Sequence, residues 1–180
     1  VPGAAGLGIE RDPDLAALAI DNARANGFDA LQFIHGCVEK LKDTAFDHAM
    51  ANPPYHDGKG TRSPDPSKEA AKRGTGALLA IWATALGRCL RRRGTLTFIV
   101  PAAVLPATLD GFAAADCQPH AVLPLWPSAE RAAKLVIVQG IKGGRSPMKL
   151  LRGLVLHRVG EGFTAEADAI LRDAAVLPMG

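Results

Sequence analysis

The residues with the clearest capacity for chemistry are Asn52-Pro53-Pro54-Tyr55, entered through the apolar run Phe46-Asp47-His48-Ala49-Met50-Ala51. Two consecutive prolines fix their own φ and lack backbone donors, so a strand reaching them must end in a stiff turn. The Asn52 side-chain oxygen and the Pro53 carbonyl can then both accept N–H bonds from a planar amine. Tyr55 offers an aromatic face for a base, an interaction of about 1–3 kcal/mol per base stacked. Holding both amine protons would help draw the nitrogen lone pair out of conjugation and aim it at an electrophilic carbon. The same tetrapeptide also reads as an ordinary strand-ending turn with a solvent-facing aromatic. Its place after an apolar strand and before a polar loop favours the chemical reading, because ligands of open α/β sheets bind beyond the carboxyl ends of strands.

Upstream, Val1-Pro2-Gly3-Ala4-Ala5-Gly6-Leu7-Gly8-Ile9-Glu10 carries glycines that invite a phosphate-loop reading. A cofactor loop should follow a strand and open a helix, with its acid roughly 20 residues later. Here the acid is only a few residues away, and Leu7–Ile9 reads as a short strand with Glu10 at its carboxyl end. Glu10 is there a candidate bidentate acceptor for two ribose hydroxyls, or else a solvated acid in a turn. Asp12 before Pro13 is a helix N-cap followed by proline in the first turn. Leu15, Leu18, Ala19 and Ala23 recur at helical spacing, and Asn26-Gly27 ends that helix. Leu31-Gln32-Phe33-Ile34-His35 is the next strand, closed by Gly36-Cys37. The order strand, acid, helix, strand, loop, strand is half of a doubly wound sheet.

Downstream of Tyr55, residues 56–73 are polar and interrupted by Gly58, Gly60, Pro64 and Pro66. A helix is expected from about Thr75 to Arg92, burying Leu78, Leu79, Trp82, Leu86 and Leu90. Arg91-Arg92-Arg93 then falls in its last turn, where cations complement the helix dipole, and Gly94 ends it. Thr95–Val100 reads as a buried strand stopped by Pro101. A helical stretch interrupted by Pro106 covers about Ala102–Ala115. Two strands, Ala121–Leu125 and Lys134–Ile141, follow, and a short amphipathic helix runs from Thr164 to about Ala175. Between Arg131 and Gly160 there is no acid but there are seven bases: Arg131, Lys134, Lys142, Arg145, Lys149, Arg152 and Arg158. Such a block suggests a polyanionic partner, though scattered surface lysines and arginines can also produce it.

At 180 residues and 48% hydrophobic composition, the chain can bury one substantial core. It has no apolar run of membrane-spanning length and no signal-peptide pattern. Cys37, Cys89 and Cys117 are dispersed without metal-ligand spacing, which fits a reducing cytoplasm rather than a disulfide framework. The net charge of +3 is mild, so the placement of the bases matters more than their number.

On these residues the chain resembles the class I S-adenosylmethionine-dependent methyltransferases. More narrowly, it resembles the group that methylates the amino nitrogen of adenine in valine tRNA. The likeness rests on Gly8-Ile9-Glu10-Arg11-Asp12, Met50-Ala51-Asn52-Pro53-Pro54-Tyr55, the Trp82 helix ending at Gly94, and the Leu123-Pro124-Leu125 and Lys134-Leu135-Val136-Ile137-Val138-Gln139 strands. It implies an α/β Rossmann-like sheet with helices on both faces and a single methyltransferase domain over residues 1–180. It also implies that the family's opening strand and glycine-rich cofactor loop precede Val1, so that the Glu10 and Asn52 strands flank a gap. The catalytic set would be Asn52, Pro53, Pro54 and Tyr55. S-adenosylmethionine would be held by Glu10, Arg11, Cys37, Val38 and Asn52. RNA, and tRNA in particular, would meet Lys59, Arg62, Arg73, Arg145, Lys149 and Arg152, on or near the catalytic side. No metal is implied. The family usually places an acid where this chain has Cys37, and a thiol is a weak hydrogen-bonding group, so adenine recognition there falls to backbone groups. Relatives sharing the tetrapeptide methylate DNA adenine, ribosomal RNA guanine or protein glutamine, and a non-catalytic RNA-binding module is a further alternative.

Overall fold

The computed structural model describes residues 5–54, 67–160, 162–177 and 179, with the backbone alone for residues 67–73. Tyr55, Lys59 and Arg62, and the side chain of Arg73, therefore lie outside the described residues. The chain divides into two compact units, Val1–Lys42 and Asp43–Gly180.

In the first unit, β1 (Gly6–Glu10) runs parallel to β2 (Leu31–His35), with α1 (Pro13–Ala25) between them in sequence and a 3-10 turn (Val38–Lys40) after them. Asp12 caps α1 by accepting from the backbone N–H groups of Asp14 and Leu15 at 2.9 and 3.2 Å, as its place before Pro13 dictates. Asn26 ends the helix, and Gly27 takes the left-handed φ of 71° that follows it. The glycines of β1 have a packing cause. A Cβ on Gly8 would stand 2.4 Å from the Phe33 ring, and one on Gly6 would stand 2.9 Å from Leu31. They let β2 side chains fold over β1 and form no phosphate loop.

The second unit is a six-stranded sheet in the order β3-β4-β6-β5-β7, with β8 also paired to β5. The strands are β3 (Phe46–Ala51), β4 (Leu90–Pro101), β5 (Cys117–Trp126), β6 (Leu135–Lys142), β7 (Lys149–Leu150) and β8 (Leu154–Val155). β3 is parallel to β4, and β6 lies antiparallel between β4 and β5. Among the described residues β1 pairs with β2 alone and β3 with β4 alone.

Alternation along β4 and β6 builds two cores. Leu96, Phe98 and Val100 of β4, with Val136 and Val138 of β6, face α2 (Ser67–Arg88) and α3 (Leu105–Ala114), where Leu79, Ala83 and Phe112 complete the cluster. Phe98 and Phe112 meet edge to face, with centroids 4.9 Å apart. Gly140 makes room for that ring, since a Cβ there would approach Phe112 to 2.7 Å. On the opposite face, Ile99, Leu135 and Ile137 pack with Leu123, Leu125, Leu154 and Ala167 of α4 (Ala165–Arg172). This sheet thus carries helices on both faces, as expected.

Three local expectations are corrected. The long helix spans Ser67–Arg88 rather than about Thr75–Arg92, and β4 begins at Leu90, so Arg91-Arg92-Arg93 lie on a strand and have no helix dipole to complement. Pro106 sits in the first turn of α3, where its missing N–H is not needed, and the helix runs on without interruption. Finally, α4 ends at Arg172 instead of near Ala175.

Candidate active site

Two sets of candidate residues stand at carboxyl ends of parallel strands, one set in each unit. In the first unit, Glu10 ends β1 and Gly36-Cys37-Val38 follows β2 directly. The Gly36 N–H donates to the Glu10 carbonyl at 2.8 Å, which carries the β1–β2 ladder one step beyond the strands. The Glu10 carboxylate is half-buried, and its Oε1 accepts from the Asp12 N–H at 2.9 Å. That bond fixes the direction of the carboxylate and leaves its second oxygen to receive a donor. Val38 is buried, and Cys37 donates its S–H to the Glu39 carboxylate at 3.3 Å. Glu39 belongs to none of the sequence motifs. An acid thus stands two residues after Cys37 and is tied to its thiol. Arg11 is exposed in the bend between β1 and α1.

In the second unit, the last paired row of β3 is Ala51 opposite Phe98, and β4 continues for three residues to Pro101. β3 cannot follow, because Pro53 has no N–H to donate. Pro53 is fully buried, whereas Asn52 and Pro54 on either side are exposed. A buried proline between two exposed neighbours anchors the turn and holds Asn52 at the sheet's carboxyl end. Beside it, the face of β3 and β4 carries a short polar ladder. His48 Nδ1 and Thr95 Oγ1 are 2.7 Å apart, and Gln139 Nε2 donates to Thr97 Oγ1 at 3.3 Å. Met50 lies next to that ladder with 79% of its surface exposed.

The basic candidates separate along the sheet. Ala51 is level with Phe98 and, through it, with Val138 of β6. Because β6 is antiparallel, Lys142 lies four residues away toward the amino end, about 13 Å at a strand's rise. Arg145 follows the Gly143-Gly144 turn there, at the end of the sheet opposite Asn52, not on the catalytic side as expected. Lys149 is on β7 beside Ala121, in the middle of β5. Arg152 is nearer the carboxyl end but is engaged: its Nη2 reaches both Glu166 oxygens, at 3.0 and 3.2 Å. The acid-free segment is therefore partly neutralised by acids outside it, as is Lys142 by Asp116 at 3.7 Å. Among the described residues of the acid-free segment, Arg131, Lys134 and Arg158 stand at the carboxyl end. Lys134 accepts through its carbonyl from the Ala102 N–H just past β4, and Arg158 follows His157, whose N–H donates to the Pro127 carbonyl. All three are exposed, with Glu130 among them.

Among the described residues no group of three His, Cys, Asp or Glu side chains could hold a metal ion, and no helix is long and apolar enough to cross a membrane.

No family model matches the sequence. A curated tRNA1(Val) (adenine(37)-N6)-methyltransferase of Actinobacillus succinogenes is 31% identical over 104 residues, which cover 53% of this chain and 42% of the relative. The chain thus aligns with less than half the length of that relative. Among solved structures, a predicted O-methyltransferase from Agrobacterium tumefaciens superposes with a TM-score of 0.74 at 17% identity, over 95% of this chain and 78% of its own. Geranyl diphosphate C-methyltransferase from Streptomyces coelicolor, solved with S-adenosyl-L-homocysteine, gives 0.54 at 11% identity over 76% of this chain and 62% of its own. The architecture is that of the class I methyltransferases, and within them the sequence resembles the tRNA1(Val) adenine-N6 group.

Proposed function

We propose that this chain is the catalytic domain, or part of it, of an S-adenosylmethionine-dependent methyltransferase acting on an exocyclic amino nitrogen, most simply adenine N6 in a tRNA. The observation that carries the reading is the Asn52-Pro53-Pro54 turn. The buried Pro53 ends β3 at the carboxyl end of a parallel pair and leaves Asn52 exposed there to accept from an amine. The names of the fold's neighbours span oxygen and carbon acceptors, so the fold alone does not choose the acceptor atom. Asn52 and the sequence likeness are what favour nitrogen.

The cofactor supplies an activated methyl group on sulfur, and the chain's own residues bind and orient. Glu10, turned by the Asp12 N–H, fits a ribose diol, and the backbone of Cys37 and Val38, beside the buried Val38 side chain, fits an adenine ring. Asn52 and the Pro53 carbonyl hold the two amine protons, and Tyr55 stacks the base. Such positioning can lower a barrier by about 7–11 kcal/mol in favourable cases. A base inside a structured RNA must first be turned out of its stack. Among the described residues Arg131, Lys134 and Arg158 stand at the Asn52 end of the sheet, and they replace Arg145, Lys149 and Arg152 as its phosphate contacts. None of the three cysteines is in a disulfide, which suits action in the cytoplasm.

The test is a split between binding and transfer. Asn52→Ala should abolish methyl transfer to RNA while cofactor affinity, read by calorimetry, stays within about threefold. An Asn52→Ala protein that still transfers methyl groups at the wild-type rate sinks the reading.

A further inference from the structure

The arginine triplet loses its helix-end explanation once it is placed on β4, and its surroundings suggest another. Between the pairs Phe46–Leu90 and His48–Thr95, one residue of β3, Asp47, faces four of β4, Arg91 to Gly94. Three extra residues are therefore pushed out of the ladder as a bulge at the amino end of the sheet. Arg93 takes a left-handed φ of 70°, a conformation costing a non-glycine residue about 1–2 kcal/mol. Gly94 closes the bulge so tightly that a Cβ would stand 2.9 to 3.1 Å from the carbonyl oxygens of Asp47, Arg91 and Phe46.

The same rim receives the β6 turn. Arg92 lies over Gly143, where a Cβ would come within 3.3 Å of its Nη1, and Arg145 is two residues further on. Six cations gather here: Arg88, Arg91, Arg92, Arg93, Lys142 and Arg145. The acids beside them are already taken, since Asp43 pairs with Arg88, Asp47 with Arg91 and Asp116 with Lys142. Among the described residues Arg92, Arg93 and Arg145 have no acidic partner, and all three are exposed. Guanidinium groups that share one rim without counter-charge repel one another, and a phosphate chain relieves that repulsion with planar, bidentate bonds.

We propose that this bulge-and-turn rim is a second RNA-backbone contact surface, at the opposite end of the sheet from Asn52. It rests on the reading that the substrate is RNA, and it requires an RNA long enough to reach both ends of the sheet. Because phosphate contacts carry no sequence information, the rim adds affinity and orientation and no choice of base.

The test measures binding of an unmodified tRNA transcript by fluorescence anisotropy between 50 and 200 mM salt. Wild-type chain is compared with Arg92→Gln/Arg93→Gln/Arg145→Gln and with the corresponding triple Lys variant. Each lost phosphate contact removes about 0.7–0.9 from the log–log salt slope. The Gln variant should therefore have a slope shallower by about 2.1–2.7, with affinity at 100 mM salt weakened roughly 100- to 500-fold. The Lys variant, which keeps the charge, should stay near wild type. If melting shows that the Gln variant is unfolded, Arg92→Gln/Arg145→Gln spares the left-handed position and should lose about 1.5 from the slope. A wild-type slope retained by the Gln variants overturns the rim and leaves the RNA reading standing. Wild-type binding that is absent, or flat with salt, overturns both and favours a protein substrate.

Discussion

Replacing Glu10 with Gln tests the cofactor half of the proposal while preserving its local structure. The Glu10 Oε1 accepts from the Asp12 N–H at 2.9 Å, and a Gln oxygen can make the same bond, so the turn into α1 should survive. What changes is the other end of the group. An anionic oxygen becomes an amide NH2, which cannot accept from a ribose hydroxyl. A hydrogen bond to a charged acceptor contributes about 1.5–3 kcal/mol, and each 1.4 kcal/mol is tenfold in affinity. Half-exposure of Glu10 places the expected loss toward the lower figure, about 10- to 30-fold in Kd for S-adenosylhomocysteine by calorimetry. Glu10→Ala should lose more, because both acceptors go and the Asp12 N–H is left without its partner. The variant's melting temperature should fall by no more than a few degrees for Gln. Unchanged cofactor affinity in Glu10→Gln, or a larger loss in Asn52→Ala than in Glu10→Gln, would refute the assignment of the two roles.

Three further outcomes follow from the packing. Gly153 sits at φ 86°, and a Cβ there would stand 2.4 Å from both the Pro124 carbonyl and the Trp126 Nε1. Gly153→Ala should therefore destabilise the second unit by about 3 kcal/mol or more, read by denaturant melting. Phe112→Ala removes the ring that meets Phe98 in the core and should cost about 3–5 kcal/mol in the same assay. Burial pushes the Cys117 thiol up to about 11, with Lys142 pulling it down and Asp116 adding to the rise. The unfolded thiol loses its proton first, so this contribution to stability is complete below about pH 9 and is lost as pH rises toward 11, at no more than about 1.4 kcal/mol per unit. Alkylation of the native protein at pH 8, mapped by mass spectrometry, should accordingly mark Cys37 and leave Cys117 unmodified until denaturant is added.

The parts of the fold governed by local rules could be read from the chain itself. Asp12 before Pro13 and Asn26 before Gly27 marked both ends of α1, and the apolar run Leu31–His35 gave β2 to the residue. Pro53-Pro54 marked where β3 must stop. The parts decided by distant partners could not. Arg91-Arg92-Arg93-Gly94 has the propensity of a helix end, yet pairing of Leu90 with Phe46 and of Thr95 with His48 draws it into a sheet. The left-handed backbone of Arg93 then absorbs the excess residues. Likewise, nothing local signalled that α2 begins before Gly74 and Gly76. Those glycines argue against a helix, although Gly76 packs beside Ala107 of α3, with a Cβ position only 3.7 Å from that methyl. In the candidate site, the positions of Glu10 and Asn52 at strand ends could be read from the sequence, and strand ends are where α/β folds put ligands. The side of the sheet on which each base falls could not be, since the antiparallel course of β6 carries Arg145 away from Asn52 and is specified only by pairing with β4 and β5. The ion pair of Arg152 with Glu166 was equally hidden, because the acid lies outside the basic segment.

The proposed reaction is transfer of a methyl group to an exocyclic amine of RNA. The direct test is to incubate the protein with methyl-labelled S-adenosylmethionine and unmodified tRNA. Duplex DNA and a glutamine-containing protein are offered in parallel reactions, and every product is digested and identified by mass spectrometry. Label should appear in N6-methyladenosine from the tRNA and be lost with Asn52→Ala. Label in methylglutamine or on an oxygen, with none in tRNA adenine, would contradict it.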